Sequence, residues 1–510
     1  MPRISAALWR GRLASSMNPL ARDYLSSFAE DAALVDVDID VAEAHAIALH
    51  RAGFFSRAEA AKVLRAYGRA RAQARRKVER ALSRVSGTTF HDIHPLIEKL
   101  VAEACGEAVG GRVHLGKSRN DQVATDICIF ARRRALEIQD RVLQAQLGLL
   151  TLATRDRAVL IPAFTHTRPA QPSTMGHWAL AVVDALGRDR GRLLDAVGRM
   201  NRCPLGAAAV GGTSVPVDRR VAARLLGFDG VWPNSLDATG ARDHVLELLA
   251  GLAIMMSTLS RLAADVIHGS SDEVGVFTYP DEFADTSSAM PQKKNPDPLE
   301  LLRARAGAAA GELAGALAVV HGLPAGYSRD LQELKPALWH ALDVGETSAR
   351  LAAEVVVRLG VRRGAGPRAR GAGAVIESGF ASALDLAEWL SLRRGVPFRR
   401  AHFAVGALVR HLAESGRTFG SVGAAEAARI ISGAVGRPVP LTPADWRSAS
   451  DPACGVARRK GGGPGDFWPL LKQSEWELDR LDAVARRLRT LDARGRHDLS
   501  TALRRLTGSR

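Results

Sequence analysis

Residues 243–268, DHVLELLAGLAIMMSTLSRLAADVIH, are apolar nearly all round. Residues 298–322, PLELLRARAGAAAGELAGALAVVHG, share that pattern. A helix apolar on every side is buried on every side. Two such helices of about 25 residues predict a central bundle, and one chain struggles to cover them, so the pattern favours association between subunits. Membrane insertion is the alternative for a fully apolar helix. Arg261, Asp265, Glu300, Arg303 and Glu312 argue against it, and no helix crossing a membrane is expected.

The neighbouring stretches agree. Residues 121–154 carry Val123, Ile127, Phe130, Ile138 and Val142 at helical spacing. Strand signals are scarce, and aromatics make up only 5% of the chain. The expected fold class is therefore all-α. A Gly-Gly pair at 110–111 and the Gly- and Arg-rich stretch at 359–374 punctuate the helices. They suggest an N-terminal helical domain over 1–117, a long-helix bundle domain over 118–365 and a C-terminal helical domain with a basic extension over 366–510.

With 510 residues and 46% hydrophobic content the chain has enough apolar mass for sizeable cores. Its four cysteines form no CxxC pair, which excludes a disulfide scaffold and fits a reducing, cytoplasmic setting. No secretory h-region is read at the N-terminus. The formal net charge is +16, and it is unevenly placed: residues 361–510 hold 26 Lys and Arg against 14 Asp and Glu, while residues 1–360 are nearly balanced. A basic third can mean nucleic-acid association, here an unlikely partner, or simple Arg preference in an Ala/Gly/Arg-rich chain.

Two stretches invite chemistry. GRVHLGKS at 111–118 fits the pattern of a phosphate-binding loop with Lys117 on the phosphates. Its context is wrong, because the preceding IEKLVAEACGEAVG reads as helix and turn where such a loop must leave a strand. The richer stretch is DTSSAMPQKKNPDPLE at 285–300. It is a loop by its Ser and Pro content, with Lys293, Lys294 and Asn295 placed just before a helix start, where an anion is favoured. A serine beside lysines can be activated by their charge.

Residues 286–296 resemble the signature loop of the fumarase/aspartase superfamily, and MPQKKNPD at 290–297 is similar to its argininosuccinate lyase branch. LWRGRL (8–13), HDIHPLIE (91–98), SRNDQVATD (118–126), FTHTRPAQP (164–172), NSLDATGARD (234–243), GYSRDLQELK (326–335) and FASALDLAEWLSLRRGVPFRRAH (380–402) extend the resemblance over about residues 8–470. It implies a three-domain fold whose long bundle builds a multi-subunit helical core, a homotetramer with shared active sites, a small polycarboxylate substrate, and no cofactor or metal. It also implies elimination of an N-substituted aspartate to fumarate. Ser287 would be the base, Lys293 and Asn295 would hold the aci-carboxylate, and His166 with its partner Glu300 would assist departure of the nitrogen. Ser118, Arg119, Asn120 and Thr165 would contact the fumarate half, and Ser27, Tyr327, Gln332 and Lys335 the remainder. Argininosuccinate, cleaved to fumarate and arginine, is the expected substrate. Another N-substituted aspartate, or a paralogue kept for binding alone, are the alternatives.

Departures from the family pattern cluster near these residues. Thr286 stands for a glycine, Arg168 for a glutamine, Lys117 for an arginine, and Leu334 for an aspartate. Gly240-Ala241 replaces a Ser-acid pair. Loss of the glycine at 286 is the motive for the non-catalytic alternative.

Overall fold

The computed structural model describes residues 17–82, 92–362 and 371–508. The LWRGRL stretch at 8–13, His91 and residues 363–370 of the Gly- and Arg-rich stretch at 359–374 lie outside the described residues.

The N-terminal helices are α1 (Val35–Arg51), α2 (Arg57–Leu82) and α3 (Ile93–Cys105). The 37-residue α4 (Arg119–Arg155) follows, about 55 Å long at 1.5 Å per residue. It starts where the sequence sets a capping box: the Ser118 side chain accepts from the first turn, and Asp121 accepts from the Ser118 N–H. A hairpin of β1 (Leu160–Thr165) and β2 (Arg168–Thr174) leads into α5 (Met175–Met200). After the short α6 (Arg219–Leu225) comes α7 (Asp243–Ser270). A hairpin of β3 (Asp285–Thr286) and β4 (Lys294–Asn295) then precedes α8 (Asp297–Val320) and α9 (Leu334–Arg358). Helices α10 (Ala383–Arg394), α11 (Phe398–Glu414), α12 (Ala424–Val435) and α13 (Pro443–Ser450) form a separate group before the 41-residue α14 (Phe467–Thr507).

Helices α4, α5, α7, α8 and α9 pack side by side into the expected bundle. Their core is aliphatic, with Ile138, Leu149, Leu193, Leu248 and Leu259 fully buried. A second apolar cluster joins α1, α2 and α3 to α6, and a third lies within α10 to α13. The strands are confined to two-stranded pairs, so the class is all-α.

Of the two helices apolar all round, one differs from the sequence-based expectation. By length and composition α7 could cross a membrane; as expected, its buried face instead packs against α5, α8 and α9. Helix α8 is not covered all round within the chain. Leu301 and Leu317 are at least half exposed, and a Cβ added at Gly307, Gly311 or Gly315 would meet nothing within 4 Å. These glycines repeat every four residues and so share one face.

Residues 467–507, expected with the C-terminal region, lie instead along the bundle. Leu471, Leu478, Leu481 and Leu488 of α14 enter the bundle core, and Leu499 enters the N-terminal cluster. Two arginines, each at most 1% exposed, receive this helix. Arg190 on α5 donates to Asp482 at 2.6 Å and to Gln146 at 3.1 Å. Arg132 on α4 donates to Asp492 at 2.6 Å, to Asn201 and to the carbonyls of Leu226 and Gly227. Helix α14 crosses that last turn so closely that a Cβ on Gly495 would lie 2.2 Å from the Gly227 nitrogen. Replacing Asp492 by Ala strands a buried guanidinium, which costs about 3–5 kcal/mol. Urea denaturation at fixed protein concentration should register that loss, and the double change Arg132→Met, Asp492→Leu should recover most of it.

Candidate active site

The residues expected at the site fall into three places in the chain. The first is a cavity between the N-terminal helices and the bundle. Ser27, Arg119, Tyr327, Gln332 and Lys335 line it, together with Asp31, Asp92, His94 and Arg242. Its volume is about 20 Å³, enough for about one water molecule. Lys335 is 3% exposed and donates to Asp31, whose other oxygen accepts from the Ser27 hydroxyl at 2.9 Å. Arg119 donates to Asp92 at 2.7 Å, and Asp92 caps α3 by accepting from the His94 N–H. The Asn120 amide donates to the Ala209 carbonyl at 3.0 Å. The Ser118 hydroxyl oxygen accepts from the Asn120 N–H in its capping box.

Behind this cavity lies a polar layer that sequence reasoning missed. His94 Nδ1 is 2.8 Å from Asp38, which also accepts from Gln122, and Gln122 accepts from Lys117 at 2.8 Å. Burial pushes Asp126 well above the usual carboxylate range, and the neighbouring Asp38 charge adds to the shift. Burial also opposes the charge on Asp38, but His94 and Lys117 outweigh it and hold that carboxyl low. Asp126 is therefore the protonated member of the pair. One Asp38 oxygen and both Asp126 oxygens have no hydrogen-bond partner among the described residues. On a bare sequence these acids read as the solvated faces of helices. The one signal available was the apolar-acid alternation of VDVDID at 35–40 on a helix buried nearly throughout.

The second place is the β1–β2 turn. Thr165 pairs with Arg168, leaving His166 and Thr167 as a two-residue connection with φ of 53° and 59°. That is the type I′ geometry, which Asn-Gly fills without strain. Two side-chain-bearing residues at positive φ cost stability and mark a site held for function. Thr165, His166 and Arg168 are all exposed.

The third place is the loop between β3 and β4. The Ser287 oxygen accepts from the N–H groups of Ala289 at 3.3 Å and Met290 at 3.1 Å, and the Ser287 N–H donates to the Lys293 carbonyl. Two amide donors aimed at one hydroxyl oxygen stabilise negative charge on it. Lys293 is exposed, Asn295 is paired across the hairpin with Asp285, and Glu300 lies exposed in the first turn of α8. His166 and Glu300 share no hydrogen bond or ion pair among the described residues, so the expected pair does not form within one chain.

The departures gain explanations. Thr286 is an ordinary β3 residue paired with Lys294, with no positive φ, so the side chain is tolerated. Lys117 is 9% exposed and bound to Gln122, and a helix and turns precede it, which removes the phosphate-loop reading. Leu334 is 2% exposed in the bundle core. A Cβ on Gly240 would lie 2.5 Å from the Gly326 carbonyl, so the missing side chain there lets the Tyr327 loop sit down on α7's approach. Arg168 has no such account.

The fold is that of a known class of lyase. The Lyase family profile matches residues 11–311, and the argininosuccinate lyase C-terminal profile matches residues 380–457. An argininosuccinate lyase of Thermus thermophilus is 41% identical over 80% of this chain and 86% of its own length. One of Synechococcus sp. is 38% identical over 94% of this chain and 98% of its own. Among solved structures, a variant of EDDS lyase with bound fumarate is 28% identical at a TM-score of 0.84, covering 100% of this chain and 99% of that one. The chain belongs to the argininosuccinate lyase family of the fumarase/aspartase superfamily.

His45, on α1 beside this layer, donates to the Leu115 carbonyl at 2.8 Å. Burial lowers its pKa to about 3, with Lys117 adding to the shift. The unfolded chain takes up this proton below about pH 6.5, and the folded chain does not until about pH 3. The stability from a neutral His45 is thus complete above about pH 6.5 and lost as pH falls towards 3, at about 1.4 kcal/mol per pH unit. Urea titrations at pH 7 and 5 should show this slope, and His45→Gln should reduce it by one proton's worth. An unchanged slope would remove His45 from the account.

Proposed function

We propose that the chain cleaves argininosuccinate to fumarate and arginine by anti elimination. The observation that carries the reading is the Ser287 hydroxyl, held on an exposed loop by two backbone N–H groups with Lys293 at the loop's far end. A Cβ proton next to a carboxylate is weakly acidic, so its removal needs a strong base and a site that holds a dianion. The Ala289 and Met290 amides and the Lys293 cation make the Ser287 alkoxide accessible. As the proton leaves, charge builds on the adjacent carboxylate. Lys293 and Asn295 take that charge, which is binding realised towards the transition state. His166, with Glu300 as its carboxylate partner, would then protonate the departing nitrogen.

Arg119, Asn120, Ser118 and Thr165 grip the carboxylates of the succinyl half, Arg119 by a two-pronged contact. Ser27, Tyr327, Gln332 and Lys335 meet the amino-acid half. The Lys335–Asp31 and Arg119–Asp92 pairs hold these cations in place until substrate arrives.

The active site is assembled from several subunits of a homotetramer. Two features support this. His166, Lys293 and Glu300 are exposed, and none of their side chains has an ion-pair partner among the described residues. The glycine face of α8, with Leu301 and Leu317, is the bare surface a neighbouring helix would cover. Replacing Gly311 by Leu should therefore convert the tetramer to smaller species in light scattering and abolish activity together with assembly. A tetramer undisturbed by that change would mean another face mediates assembly. The four free cysteines suit a cytoplasmic location.

The decisive assay follows fumarate by absorbance after adding argininosuccinate. Turnover is expected, with Ser287→Ala lowering it by about 10²–10⁴-fold. The likeness to EDDS lyase, with Leu334 and Arg168 beside the site, favours one second reading, in which the amine half of the substrate differs. A panel of N-substituted aspartates in the same assay separates the two, and absence of fumarate from all of them would overturn both.

A further inference from the structure

The ends of α1, α6 and α14 meet around a cavity of about 500 Å³ on the N-terminal side of the molecule. Its floor is apolar: Ile47, Val221 and Leu225 are buried, and Leu506 is half-buried. Its rim is cationic, with Arg51 from α1, Arg224 from α6 and Arg505 from α14, all exposed, and His497 beside them. Asp498 is the only acid in the lining.

The convergence of this rim sets it apart: Arg494 and Arg504 of α14 also lack an ion pair among the described residues, but neither lines the cavity. On the same helix Arg480, Arg486, Arg487, Arg489 and Arg496 each pair with an acid. Among the described residues neither Arg51, Arg224 nor Arg505 has an ion-pair partner, though they come from elements far apart in sequence. Cations in the last turn of a helix offset its dipole, and each of these three lies in or next to a last turn. Dipole compensation does not require three helices to aim their cations at one cavity, nor to floor it with aliphatic side chains.

We propose that this cavity binds an organic polyphosphate with an apolar ring, by chemical class a nucleoside di- or triphosphate. Guanidinium groups suit phosphate oxygens by geometry and charge. Three of them around one opening exceed the need of a single carboxylate. A bare phosphate would leave the floor wet, whereas a ring lying on Ile47, Val221 and Leu225 would cover it. The volume is that of an ordinary small-molecule site. The site is separate from the Ser287 loop and from Lys117, and the proposal does not rest on the substrate assignment.

Calorimetric titration of the full chain with ATP, GTP, pyrophosphate and adenosine tests this at 0.1 M salt. One nucleotide per chain is expected to bind saturably, with pyrophosphate and adenosine each at least tenfold weaker. The double variant Arg51→Glu, Arg505→Glu should weaken nucleotide binding at least tenfold. Arg480→Glu, a charge reversal elsewhere on α14, should leave it intact. Thermal unfolding confirms that the variants fold. The proposal is overturned by absence of saturable binding up to millimolar nucleotide, by equal weakening in Arg480→Glu, or by pyrophosphate binding as tightly as nucleotide. Loss of binding in Lys117→Ala with the rim variant unaffected would overturn it too.

Discussion

Two guanidinium groups inside the bundle, those of Arg132 and Arg190, constrain the rest of the molecule. A buried cation is tolerated only where hydrogen bonds and a counter-charge replace its water. Here the counter-charges, Asp492 and Asp482, arrive on the last helix of the chain. Helix α14 must therefore lie along α4 and α5, and in doing so it ties the bundle to the N-terminal cluster that forms one wall of the candidate site. The positions of Arg119, at the start of α4, and of Asp92, at the start of α3, follow from that frame.

The bundle was legible because its signal is local. An all-round apolar helix needs no partner to be recognised, and the Ser118–Asp121 capping box marks the start of α4 within four residues. The role of α14 was not legible for the opposite reason. Its sequence is charged and reads as a solvated extension, while the acids that matter on it meet arginines some 300 residues earlier. A single acid on a helix carries no mark of the burial awaiting it.

The candidate site divides along the same line. Ser27, Arg119, Tyr327, Gln332 and Lys335 were readable from motif resemblance, and they do line one cavity. Asp31, Asp38, Asp92, His94 and Asp126 were passed over, since each owes its character to neighbours on other helices. The resemblance implied shared active sites, but not that His166 and Glu300 would fail to pair within one chain. Sequence motifs list the participants in a reaction without recording which chain supplies them. The positive charge of the last third also changes meaning: on α14, Arg480, Arg486 and Arg496 pair with acids of the same helix, Arg487 with Asp229 and Arg489 with Asp140 of α4, while Arg505 joins the unmatched rim of the cavity at the ends of α1, α6 and α14.

The long reach of α14 has a consequence for biosynthesis. Arg132 emerges from the ribosome 360 residues before Asp492, and Arg190 leads Asp482 by 292. At ordinary elongation rates the first cation waits roughly 20–70 s for its partner. During that interval α4 and α5 cannot close around bare guanidinium groups, and the surface reserved for α14 stays open to water. Native packing of the bundle thus waits for synthesis of α14, and a nascent chain that lacks it is held in an unfinished state that chaperones and proteases can distinguish from the packed protein.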